Sequence, residues 1–150
     1  MKKALLLSVL IVFAGLMVFT GQQNSTLASV SSQFTYAENK VEVYYFHRNR
    51  RCGPCRLIEN RTIQTMETYY KNEMESGEVS FFIINVEEEE NKEIAQKFRA
   101  LSTALIINAK NGAEEKTINL TSFAYRHIRN EEAFLTGLKE HIDKELGVLH

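Results

Sequence analysis

The chain has no tryptophan, one proline and two cysteines in 150 residues. A single proline, Pro54, leaves no proline-rich linker or stalk, and no low-complexity segment or internal repeat takes its place. Two cysteines allow one disulfide at most, and they leave a zinc site two ligands short. Charge of one sign is missing as well. Eighteen Lys and Arg stand against 19 Asp and Glu, a formal −1, which is no nucleic-acid footprint. What is there is 44% hydrophobic and 25% charged, ordinary composition for a soluble domain, and the length suits one.

The amino-terminal residues stand apart. Lys2 and Lys3 precede an uncharged run, Ala4 to Phe19, and small polar residues follow from Thr20 to Ser32. Basic, apolar, then small polar is the order of a secretory signal, with Thr26 and Ala28 filling the two small-residue positions of a cleavage site after Ala28. A retained membrane anchor is the alternative, because 16 to 18 apolar residues lie at the lower limit for spanning a bilayer. No cysteine lies near the segment, so a lipid-modified cysteine there is excluded. The expected organisation is a signal or N-terminal membrane anchor over 1–28, a short flexible segment over 29–40, and one domain over 41–150 that works outside the cytoplasm. Without Lys2 and Lys3, 16 basic residues face 19 acidic ones, a formal −3.

The rest reads as alternating elements. Val41 to Phe46 is β-branched and aromatic, a strand. From Pro54 to about Met74 apolar positions recur at helical spacing, with Pro54 suited to the first turn and Gly77 a stop. "VSFFIINV", residues 79–86, is apolar on both faces, which predicts a strand in the middle of a covered sheet. Ile94, Phe98 and Leu101 mark a short helix led by Glu87–Glu90. Thr103 to Asn108 is a third strand, Asn111-Gly112 a hairpin signal, and Lys116 to Leu120 an edge strand. Leu135, Leu138, Ile142 and Leu146 predict a last helix of about four turns, with Asn130 its N-cap and Gly147 its stop. The order βαβαββα implies a parallel first pair, an antiparallel hairpin and helices on both faces of the sheet.

Cys52-Gly53-Pro54-Cys55 follows the first strand and opens the first helix. A Cys-x-x-Cys in that position of a βαβ unit resembles thioredoxin, and the four residues are identical to that family's motif. The resemblance spans about 41 to 146. Locally "FHRNRRCGPCRLIENRT" is similar to a branch of small, mostly bacterial, secreted thioredoxin-like proteins, through Phe46-His47 and through Ile58, Glu59 and Thr62. It implies an α/β, thioredoxin-like fold with a central mixed sheet flanked by helices. It also implies a periplasmic or secreted protein of cell redox homeostasis.

Two departures stand out. Thioredoxins carry a cis-proline facing the cysteines, and Ser102 is at the matching place, followed by Thr103. A cis bond without proline costs about 2.5–4 kcal/mol, so a trans Leu101–Ser102 peptide and an altered substrate loop are expected. Thioredoxins also bury an acid in the first strand, where Tyr44 to Phe46 offer none, and Arg51 stands at the family's tryptophan. Glu59, one turn beyond Cys55, is the candidate replacement proton acceptor. An ion pair with Arg56 or another neighbour is its plainer reading.

Cys52 at the helix N-cap is the expected nucleophile, because free N–H groups and the helix dipole favour a thiolate. Cys55, one turn in, is the resolving thiol. A permanent staple is the competing reading, but so short a loop removes little unfolded-chain entropy. Arg48, Arg50, Arg51 and Arg56 bracket Cys52, and close guanidinium groups would stabilise its thiolate. That predicts a potential above the roughly −270 mV of thioredoxin, nearer the roughly −180 mV of protein disulfide isomerase. His47 is placed to tune the thiols or simply to pack. The resulting expectation is a thiol–disulfide oxidoreductase acting on protein thiol or disulfide clients, with no cofactor beyond the Cys52–Cys55 couple and no metal. A membrane electron donor or acceptor, and an N-terminal membrane tether, are the further partners considered. The alternative is a non-enzymatic thioredoxin-like binding or metal-handling module using His47, His127 or His141.

Overall fold

The structure is a computed structural model that describes residues 39–149. The expected signal or anchor and the flexible segment through residue 38 lie outside the described residues. Among those described, no helix is long and apolar enough to cross a membrane.

Among the described residues, four strands and five helices follow in order: β1 (Lys40–His47), α1 (Gly53–Tyr69), α2 (Lys71–Ser76), β2 (Val79–Asn85), α3 (Lys92–Lys97), β3 (Ala104–Asn111), β4 (Glu114–Asn119), α4 (Thr121–His127) and α5 (Glu131–Leu149). A single 3-10 turn, Glu89–Asn91, leads into α3. The sheet runs β2-β1-β3-β4, with β1 parallel to β2 and antiparallel to β3, and β3 antiparallel to β4. This is the mixed sheet flanked by helices that the element order implies, a thioredoxin-like α/β arrangement.

Strand alternation sorts the core into two layers. Val41, Val43 and Tyr45 join Leu105 and Ile107 on the face that receives α1, α4 and α5. Tyr44, Phe46, Ala104 and Ile106 occupy the other face with Phe98 at the end of α3. Each large side chain so buried contributes roughly 1.5–3 kcal/mol.

The strands buried on both faces are the central β1 and β3, not "VSFFIINV". β2 lies at the sheet edge, with Phe82 and Ile83 exposed at 37% and 41%. Its apolar run is flanked on one side only by β1, and among the described residues nothing pairs with its outer side.

Other boundaries differ for local reasons. Lys40, expected in the flexible segment, begins β1. The helix expected from Pro54 to Met74 breaks at Tyr70 (φ −126°, ψ 21°). There the ring is buried and its hydroxyl donates to Asp143 Oδ1, 2.7 Å away. Gly77, in the left-handed region at φ 84°, ends α2 as its αL cap. Leu101 leaves the short third helix and stands 87% exposed, after Arg99 takes φ 52°. The hairpin turn is Gly112–Ala113, where Gly112 supplies φ 57°. Asn130 does accept from the Ala133 N–H, but Gly147 lies inside α5 and does not stop it. α4, seven residues long, has no counterpart among the sequence expectations.

Candidate redox site

β1 ends at His47, and a loop of three arginines and one asparagine then turns into α1. Cys52 is the N-cap of that helix, with extended backbone (φ −75°, ψ 164°), and its Sγ accepts from the Cys55 N–H at 3.1 Å. Pro54 occupies the first turn, and no acidic residue is there to oppose a negative sulfur. The two cysteines form a disulfide, with Cα atoms 5.0 Å apart. Their exposure is unequal: Cys52, Gly53 and Pro54 are open to solvent, whereas Cys55 is buried.

Two tyrosines hold Cys55. Tyr45, wholly buried beneath α1, donates its hydroxyl to the Cys55 carbonyl at 2.6 Å. Burial pushes the Tyr45 phenol up to about 12, and the nearby Glu59 carboxylate adds to the rise, so it stays a donor throughout the neutral range. Tyr125, on α4, brings its hydroxyl to 3.8 Å from Cys55 Sγ. Neither tyrosine figures in the sequence expectations. Tyr45 has the alternation of β1 as its signal, but Tyr125 lies 70 residues from Cys55 on a helix too short to be read.

The charged residues are largely engaged. Arg51 pairs with Glu59 through one guanidinium nitrogen, while its Nη2 donates to His47 Nε2 at 2.7 Å. The ring nitrogen that accepts this bond carries no proton, so His47 Nδ1 donates to the Arg48 carbonyl at 3.1 Å. Arg48 pairs with Glu87 at 2.7 Å, and Glu87 also accepts from the Asn49 N–H at 2.6 Å. Of the four arginines around Cys52, two are thus matched by carboxylates. Among the described residues, Arg50 and Arg56 form no ion pair. Glu59 has Arg51 as its partner rather than Arg56.

No cis peptide occurs among the described residues, and the Leu101–Ser102 bond is trans. Ser102 and Thr103 line a cleft of about 490 Å³ with Arg99, Leu101, Asn119 and Thr121. Leu101 also borders a second cleft, of about 360 Å³, with Arg48, Glu87 and Lys92. Among the described residues there is no group of three or more His, Cys, Asp or Glu that could hold a metal. His127 and His141 both lie against the Phe123 ring, with centroids 4.8 and 5.3 Å away.

No family model matches the chain, and no curated protein does. Among solved structures it is similar to mitochondrial thioredoxin 3 from Saccharomyces cerevisiae in its oxidised form. That likeness has 19% identity and a TM-score of 0.42, and covers 73% of this chain and 82% of that one. A malarial protein is similar over 62% of this chain and 97% of its own, at 20% identity and a TM-score of 0.38. The fold stands on its strand order and directions.

Proposed function

We propose that the chain is a thiol–disulfide oxidoreductase whose Cys52–Cys55 pair exchanges disulfides with protein clients outside the cytoplasm. The observation that carries this reading is the asymmetry of the pair: an exposed sulfur at a helix N-cap beside a buried one. In the reduced protein the Cys52 thiolate attacks a client disulfide. A Cys52–client bond forms, and the client's other sulfur leaves as a thiolate. Cys55 then loses its proton and attacks Cys52, so the Cys52–Cys55 bond forms and the second client thiolate departs. Two electrons reach the client, and its two thiolates take up two protons. The opposite direction is the same sequence reversed, with a membrane-bound donor or acceptor resetting the pair.

In this reading Glu59 serves through Arg51, which it anchors at the end of β1, rather than by taking a proton. Arg50 and Arg56 supply the remaining positive field over Cys52, and the clefts on either side of Leu101 take the client. Reduction of insulin by dithiothreitol tests the proposal, wild type against Cys52→Ser. The wild type is expected to accelerate the reaction and the variant to lose that acceleration. Equal rates would leave a non-enzymatic binding module as the better description.

A further inference from the structure

Resting on that reading, we propose that Tyr125 is a catalytic residue: its hydroxyl is the hydrogen-bond donor that stabilises the Cys55 thiolate as the Cys52–Cys55 bond opens and closes. The argument begins with the direction of the contact. Cys55 is disulfide-bonded and carries no S–H, so in the 3.8 Å approach the Tyr125 hydroxyl can only donate and the sulfur only accept. A disulfide sulfur is a weak acceptor and a thiolate a strong one. The contact therefore strengthens at the moment negative charge develops, which is when a donor lowers a barrier.

The surroundings leave this duty to few groups. The Cys55 N–H is spent on Cys52 Sγ, and the Tyr45 hydroxyl on the Cys55 carbonyl. Glu59 is held by Arg51. β1 contributes Tyr44, Tyr45 and Phe46 at the level of the site, and none is an acid. A buried sulfur with little access to water then depends on the one side-chain hydroxyl that reaches it among the described residues. Tyr125 is 42% exposed, so it sits at the rim, where α4 can hold it over Cys55 while its ring limits solvent.

The step balances without consuming the tyrosine. When a thiolate attacks Cys52 Sγ, the Cys52–Cys55 bond breaks and Cys55 leaves with the electron pair. Tyr125 keeps its proton and donates to that sulfur until a proton arrives from solvent. In the reverse step the Cys55 thiolate attacks Cys52 Sγ, the bond between Cys52 and the other sulfur breaks, and that sulfur leaves as a thiolate with its electron pair.

Tyr125→Phe removes only the hydroxyl. In a Cys52→Ser background, where Cys55 is the sole thiol, the Cβ chemical shift of Cys55 followed by NMR against pH gives its ionisation directly. The midpoint is expected to rise by about one pH unit on Tyr125→Phe, the scale of one hydrogen bond to a charged group discounted for partial exposure. With both cysteines present, glutathione should open the disulfide of Tyr125→Phe roughly threefold more slowly, because a more basic thiolate leaves more slowly. A packing role would move neither readout, so an unchanged Cys55 midpoint overturns the proposal. The titration needs no exchange activity. Wild-type failure in insulin reduction would instead sink the oxidoreductase reading and leave the titration interpretable.

Discussion

Glu42 is 3% exposed in β1, a central strand buried on both faces. Burial would raise its pKa, but hydrogen bonds from Lys40, Lys110 and Asn108, with the Lys110 charge, outweigh that and hold it at about 2. A depressed carboxylate adds stability that is fully present above its unfolded value, near 4.5, and is lost as pH falls towards 2. The shift corresponds to about 3 kcal/mol. Glu42→Gln is therefore expected to be clearly less stable at pH 7 in urea unfolding, with the gap to wild type narrowing as pH drops from 4.5 to 2.5. A gap that ignores pH would remove Glu42 from the acid response. Residues differ in how far the sequence announces them. Cys52 and Cys55 are legible from their spacing and from Pro54 between them. Arg51 is legible as a cation near the site but not as the bridge between His47 and Glu59, since a sequence gives no direction to a long side chain. Tyr125 has no local sign at all, because its partner is fixed only by the packing of α4 against the rest.

At the scale of elements, periodicity carried the order βαβαββα, and the misses share one cause: tertiary contacts overrode a local pattern. Tyr70 breaks a helix whose sequence would continue, because its ring enters the core. Gly147 fails to stop α5, whose Leu149 still accepts from the Asn39 side chain. α4 and α5 meet at Gly137, where a Cβ would lie 2.7 Å from Phe123 Cε2 and Cζ. Replacing a helical glycine with alanine ordinarily gains about 1 kcal/mol. Here the ring must move, and overpacking costs about 1–3 kcal/mol. Gly137→Ala should accordingly lower stability by roughly 1 kcal/mol despite the better helix former. A raised urea midpoint would mean that the ring yields freely. Phe123 is two residues from Tyr125, so the same variant is a probe of how firmly α4 is seated.

For the whole molecule, the place of each strand in the sheet was the least legible property. An apolar run such as "VSFFIINV" reads the same whether neighbours cover both its sides or one, and only the crossover connections put β2 at the edge. That position has a consequence for life in a crowded solution. Eight residues without a charge or a proline, with no strand on their outer side among the described residues and with Phe82 and Ile83 exposed, form a template on which a second molecule can add its own strand. Glu87–Glu90 follow the run directly; Arg48 pairs with Glu87 and Lys92 with Glu89, and the charges of Glu88 and Glu90 are set against each other when two such margins meet. Charges that flank an apolar strand in this way oppose self-association. Their repulsion fades as salt shortens its range to about 3 Å at 1 M. Light scattering of the wild type should rise between dilute buffer and that salt concentration, and Ile83→Lys should hold it flat. Scattering that rises equally in both would place the sticking surface elsewhere.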